Sequence, residues 1–286
     1  MTLVIAFKTV APGENGGEAV VMSSDSRATM GGLASFRTKK IYPINVRTHD
    51  NKELPLALVG SSGDFALIKN VIEIIERRFR EKFFGNWNNG RPSYDQFGEA
   101  IHNVEQEIIN RLRSLRECDI RPEIGLIIAG VDNEGKASLW EMDERGLMRK
   151  VDDFPGYVSI GMGFILGGNL LLQMFHDITL QFDVTRGALF SAFIINQVSR
   201  NDPSVGPYEG ESIFFDKNGL HHASANSTPR IQAETTKIEQ MLRKLFISIS
   251  PFKAEQLDKD IEEGLKLLDE KRKLEKEKLP QGAKED

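Results

Sequence analysis

Three residues near the start of the chain have types and positions suited to one chemistry: Thr2, Asp25 and Lys40. Met1 before a small second residue is a normal substrate for methionine removal. Removal would leave a threonine whose hydroxyl is a nucleophile and whose own α-amine is a base. Such an amine has an ordinary pKa of about 7.7–8.0, so it accepts a proton at working pH. Many chains begin Met-Thr without catalysis, and Thr2 alone carries little. Asp25 and Lys40 each stand at the boundary of an expected strand. Paired across a sheet, they would flank the N-terminal residue. A lysine there lowers the hydroxyl pKa, and a carboxylate holds the lysine charged. Taken singly, Asp25 reads equally well as a turn carboxylate and Lys40 as a surface lysine.

The elements that must position these residues follow from apolar periodicity. Residues 3–8 and 18–23 read as a hairpin around the turn cluster Pro12-Gly13-Glu14-Asn15-Gly16-Gly17, and Met30-Gly31-Gly32 reads as a further turn. Residues 40–46 and 54–59 read as a second strand pair. Leu67, Ile68, Val71, Ile72, Ile75 and Phe79 recur at helical spacing within 65–84. Ser93 is a plausible N-cap for a second helix with Phe97, Ile101, Val104, Ile108 and Leu112 on one face. Strands return at 125–132, 137–143 and 157–160, helices at 166–176 and 185–199, and residues 211–216 with the turn Lys217-Asn218-Gly219 suggest the last strands. Paired helices between groups of strands make an α+β pattern rather than alternating β-α-β units. Two sheets with a helix layer on each outer face would bury every apolar stripe. Beyond about Thr228 the composition changes: a helix is expected over 238–249, then a charged helix and a polar tail over 252–286. That extension reads as a solvated helix or as a docking arm for a neighbouring subunit.

The segments Thr2-Leu3-Val4-Ile5-Ala6, Val21-Met22-Ser23-Ser24-Asp25-Ser26-Arg27-Ala28-Thr29-Met30, Lys39-Lys40-Ile41-Tyr42-Pro43-Ile44 and Leu58-Val59-Gly60-Ser61-Ser62-Gly63-Asp64 together resemble the β-subunits of the proteasome. These belong to the N-terminal-nucleophile (Ntn) hydrolases. Ser204-Val205-Gly206-Pro207 and Ser35-Phe36-Arg37 are similar to the Anbu group of proteasome-related proteins. The resemblance implies a four-layer α-β-β-α sandwich of Ntn type over residues 2–228, followed by a charged helical extension over 229–286. It implies that Thr2 is the nucleophile and that Asp25 and Lys40 activate it. Gly60 matches the glycine whose N–H helps form the oxyanion hole, a donor worth about 2.7–4 kcal/mol at a transition state. Arg27, Thr29 and Ser204 fall on the substrate cleft, where Thr29 would bond an extended peptide as an added strand.

This sequence departs from the pattern at two places. Met162 replaces a serine in Gly161-Met162-Gly163. The later aspartate and serine match either as Asn201 with Ser204, or as Asp202 with Val205 in the serine's place. The implied activity is a threonine-type endopeptidase acting through an acyl ester inside a self-compartmentalised oligomer. A non-catalytic structural subunit and an Ntn amidohydrolase or peptide ligase are the alternatives. The implied partners are a peptide or unfolded protein, a homo-oligomeric ring, and an ATPase or regulator; no cofactor or metal is implied.

Composition narrows the rest. In 286 residues, 37 basic against 42 acidic side chains give a net charge of −5, which argues against a nucleic-acid binder. A single cysteine, Cys118, excludes an internal disulfide and reads as structural. No apolar stretch approaches the ~20 residues of a membrane span, and the start lacks a signal-peptide pattern; no membrane partner and a cytoplasmic location are expected. His49, His102, His176 and the pair His221-His222 are scattered rather than spaced as metal ligands. Asp152-Asp153 and the pair Glu209 and Glu211 are expected to be solvated charges.

Overall fold

The computed structural model describes residues 2–12, 17–30, 34–47, 53–83, 91–151, 155–163, 165, 168–174, 182–202, 204–209, 211–222 and 227–248. The chain forms two compact units, Met1–Thr235 and Thr236–Asp286. His49, Asp152, Asp153, His176 and the charged stretch 252–286 lie outside the described residues.

One antiparallel sheet has the order β10-β1-β2-β11-β12. It is built from β1 (Val4–Val10), β2 (Glu18–Ser24), β10 (Tyr157–Ile160), β11 (Ser212–Asp216) and β12 (Gly219–His222). The other is a meander, β5-β6-β7-β8-β9, built from β5 (Ile41–Arg47), β6 (Glu53–Gly63), β7 (Ile124–Val131), β8 (Ala137–Met142) and β9 (Met148–Lys150). A separate hairpin pairs β3 (Arg27–Met30) with β4 (Ala34–Arg37). Five helices are described: α1 (Phe65–Phe83), α2 (Tyr94–Glu117), α3 (Asn169–Met174), α4 (Val184–Asn201) and α5 (Ser227–Ser248).

Strand alternation explains the packing. Successive residues of a strand face opposite sides, so a strand covered on both sides is apolar throughout. In β6 and β7, Leu58, Ile127 and Ala129 turn toward Val4, Ala6 and Met22 of the first sheet. Their neighbours Ala57, Val59, Leu126 and Ile128 turn toward Ile75 and Phe79 of α1 and Val104 and Ile108 of α2. Each buried Val, Leu, Ile, Phe or Met among them contributes about 1.5–3 kcal/mol. On the far side of the first sheet, Phe7 packs against Phe190 of α4 with ring centroids 5.7 Å apart. Gly187 of α4 lies where an added Cβ would come within 3.0 Å of Thr9.

The helices begin where capping chemistry puts them. Ser93 accepts from the N–H of Gln96, and the Gln96 side chain accepts from the N–H of Ser93, a complete capping box. Asp183 caps α4 by accepting from the N–H of Arg186. The structure corrects several sequence boundaries. β3 and β4 stand where a turn alone was expected, because their four-residue strands are too short for alternation to register. α5 begins eleven residues earlier than the expected 238, with Pro229 in its first turn, where a missing N–H costs nothing. α3 lies within the expected 166–176, of which residues 166, 167, 175 and 176 lie outside the described residues.

Candidate active site

Asp25 follows the end of β2 and is fully buried. Its Oδ1 accepts from the N–H of Leu3 at 2.8 Å and from Lys40 Nζ at 2.5 Å. Its Oδ2 accepts from the N–H groups of Arg27 at 3.1 Å and Gly206 at 2.9 Å. The Asp25 N–H donates in turn to the Leu3 carbonyl at 3.1 Å. One carboxylate thus ties the head of β1, the entry to β3, the approach to β5 and the 204–206 segment together. Lys40 immediately precedes β5 and is 3% exposed. Its ammonium also donates to the Arg27 carbonyl. Burial lowers the Lys40 pKa, while the charges of Asp25 and Glu211 and the Asp25 hydrogen bond oppose that shift.

Thr2 is half-buried just ahead of β1. Its carbonyl accepts from the N–H of Gly163 at 3.2 Å. Gly161 makes the approach possible: its φ is +95°, and an added Cβ would sit 2.1 Å from the Thr2 oxygen. Thr2 and Lys40 open into one cavity of about 1110 Å³. Ser61, Ser62 and Gly63 at the end of β6 form part of its wall. Three of the exposed large apolar side chains, Phe65, Ile120 and Met162, line it as well. Lys39, Arg111 and Arg121 stand on the same wall with Asp64 and Glu123.

The other sequence-derived residues are placed as follows. Gly60 is buried within β6, between Ile41 of β5 and Ile127 of β7, one residue before the cavity wall. Thr29 lies in β3 opposite Ser35. Asn201 is exposed, and its amide donates to the Gln197 carbonyl at 3.1 Å. Asp202 is buried, and its Oδ1 accepts from the N–H and hydroxyl of Ser204 at 2.9 and 2.5 Å. The structure therefore joins Asp202 to Ser204, a combination that neither sequence match made. Cys118 is exposed at the C-terminus of α2. Among the described residues, no group of three His, Cys, Asp or Glu is placed to hold a metal, and no helix is long and apolar enough to cross a membrane.

One group of the site was misread. Glu211 is not a freely solvated charge: the Ser24 hydroxyl donates to its carboxylate, and its carbonyl accepts from the Ser24 N–H at 3.0 Å. Burial raises its pKa, against the pull of Ser24, the Lys40 amide and the charges of Lys40 and Lys39. The signal was its place directly before the apolar strand β11, where a side chain at the sheet's end turns inward. Glu209 pairs with Arg37.

Comparison with known proteins identifies the architecture. No family model matches the sequence, and no curated protein matches it. Among solved structures, a Gly-1 mutant of Anbu from Hyphomicrobium sp. strain MC1 is 16% identical, with a TM-score of 0.63 over 87% of this chain and 98% of that one. Anbu, an ancestral β-subunit, from Yersinia bercovieri is 16% identical, with a TM-score of 0.60 over 87% and 98%. The Anbu complex from Pseudomonas aeruginosa, solved as a helical assembly, is 14% identical, with a TM-score of 0.59 over 87% and 97%. The chain shares the fold of these Anbu structures. Within it, the head of β1 and the approach to β5 carry Thr2 and Lys40 to a shared cavity, with Asp25 holding both ends.

Proposed function

We propose that this chain is a threonine-type endopeptidase of the Ntn class, with the four-layer α-β-β-α sandwich spanning 2–228 and a charged extension over 229–286. One observation carries the reading: Thr2 and Lys40 open into one cavity while Asp25 bonds both the Lys40 ammonium and the amide after Thr2. After loss of Met1, the Thr2 hydroxyl attacks the carbonyl carbon of a peptide bond. Its proton passes to the Thr2 α-amine, and the Lys40 charge favours the alkoxide. The amine leaving group takes a proton as the C–N bond breaks. Water then cleaves the threonine ester, and the hydroxyl is restored. Gly60, with the β6 backbone beside it, is the proposed oxyanion donor. Arg27, Thr29 and Ser204 are the proposed peptide contacts.

Oxygen Oδ2 of Asp202 is buried without a hydrogen-bond partner among the described residues. The working form is proposed to be a cytoplasmic homo-oligomer that encloses the site and takes peptides or unfolded protein. The helical assembly of the Pseudomonas aeruginosa protein supports the oligomer. A regulatory ATPase is a further proposed partner. The test is hydrolysis of fluorogenic peptides: Thr2→Ala abolishes turnover, and Thr2→Ser retains a measurable rate. Full activity in Thr2→Ala overturns the proposal.

A non-catalytic subunit is the second reading, and Met162 favours it. Met162 is 42% exposed at the cavity where the resemblance calls for a hydroxyl. Wild-type protein that has lost Met1 yet turns over no peptide would establish that reading.

A further inference from the structure

The cavity beside Thr2 carries more positive charge than the proposed reaction uses. Lys39, Lys40, Arg111 and Arg121 line it, against Asp64 and Glu123. Some of these groups are already engaged. Lys40 is paired with Asp25 at 2.5 Å. The Lys39 ammonium lies 5.6 Å from the centre of the Tyr42 ring. Asp64 caps α1, its Oδ1 accepting from the N–H of Leu67 at 2.9 Å. Arg111 and Arg121 are exposed, and among the described residues neither guanidinium has an ion-pair or hydrogen-bond partner.

The end of α2 fixes where these two arginines stand. Arg111 and Leu115 are four residues apart on the helix and share one face, and both line the cavity. The helix closes at Cys118. Asp119 then takes a left-handed backbone, with φ at +58°. Its N–H donates to the Arg116 carbonyl at 3.0 Å, and the Ile120 N–H donates to the Leu115 carbonyl at 3.0 Å. Those two bonds make a Schellman turn, which satisfies the last carbonyls of the helix and turns the chain off its axis. Ile120 and Arg121, the residues that leave the turn, stand on the cavity wall. The wall therefore combines apolar Leu115 and Ile120 with two guanidinium groups, all four carried by one helix and its closed end.

We propose that Arg111 and Arg121 form a carboxylate-reading subsite, so that the peptides this chain takes carry an acidic group alongside a large apolar residue. A guanidinium presents its N–H donors in a planar fork that matches a carboxylate. A cleft with an excess of one sign of charge concentrates ligands of the other. Glu123 opposes that excess on the same wall, and the two arginines outnumber it. An Asp or Glu side chain supplies the carboxylate, or the free C-terminus of a peptide does.

The inference rests on the peptidase reading for its substrate class, so it is tested by binding, which needs no turnover. Thr2→Ala in the full chain is titrated into peptides labelled with one neutral dye, and anisotropy is read. The peptides carry Leu-Glu or Leu-Gln at their centre, each with a free or an amidated C-terminus. A carboxylate is expected to tighten binding about 5-fold, the upper range for an ion pair at an exposed site, and raised salt is expected to erase the difference. A gain that follows Glu assigns the side chain, and one that follows the free end assigns the C-terminus; either supports the subsite. Arg111→Gln and Arg121→Gln each reduce the gain, and together they abolish it, with Tm unchanged because neither side chain holds the fold. Arg121→Lys retains part of it. Equal binding across the peptides, a gain that survives the double substitution, or no binding at all overturns the proposal. Wild type that turns over no peptide, beside an arginine-dependent gain, removes the peptidase reading and leaves the subsite standing. Active wild type without the gain does the reverse.

Discussion

Asp25 accepts from Leu3, Lys40, Arg27 and Gly206 with its two oxygens. An amide cannot replace it. In Asp25→Asn, one of the two positions becomes an NH₂ facing an existing donor, and Lys40 keeps a buried charge without its partner. Breaking a buried pair in this way costs about 3–5 kcal/mol, to be read as a lower urea midpoint with the fold retained at low denaturant. Glu211 gives the stability a dependence on pH. Its folded pKa is raised, mainly by burial. Between the ordinary carboxylate range and the raised value, the folded chain holds a proton that the unfolded chain has released. Stability contributed by this group is full below that window and falls as pH rises through it. Unfolding free energies measured across mildly acidic pH are expected to fall less steeply with rising pH in Glu211→Gln than in wild type. The difference between the two carboxylates was only half legible in the sequence. Asp25 stood at a strand end with a lysine in a matching position. Glu211 looked like one of a pair of surface acids, because what buries it is the distant Ser24–Lys40 region rather than its neighbours in the chain.

The elements hold the site through close backbone approach. Gly161 brings the β10 turn onto the Thr2 carbonyl. Gly161→Ala combines a left-handed backbone, costing about 1–3 kcal/mol for a residue with a side chain, with a contact that requires the chain to move. It is expected to lower thermal stability and to reduce Thr2 reactivity together. Ser93→Ala is the contrasting change. It removes the α2 capping box, costs about 1 kcal/mol, and is expected to leave Thr2 reactivity unchanged, because the cap lies at the end of α2 opposite to Arg111, which lines the cavity. A parallel loss of reactivity in Ser93→Ala would mean that global stability, rather than local geometry, governs the site. Long periodic elements such as α1, α2 and α4 were legible because each shows one apolar face over many turns. β3, β4 and β9 were not, since a strand of three or four residues shows few alternations; four-residue β10 was legible from its apolar run at 157–160.

At the scale of the whole molecule, the cavity joins apolar side chains to a basic wall. Phe65 and Ile120 are 59% and 50% exposed there, an arrangement suited to a substrate side chain of large apolar character. Ile120→Asp is expected to raise KM about 10-fold for peptides cleaved after a large apolar residue, with kcat and thermal stability nearly unchanged. The overall architecture was legible because strand groups and helix pairs alternate along the sequence. The cavity was not, because its wall is assembled from residues as far apart as Thr2, Ser61, Ile120 and Met162. The most direct measurement is intact mass before and after exposure to a β-lactone, with peptide mapping of the product. Loss of Met1 and a single adduct on Thr2, absent in Lys40→Ala, is the expected result. Wild-type protein that begins at Thr2 and takes no adduct would contradict the proposed nucleophile.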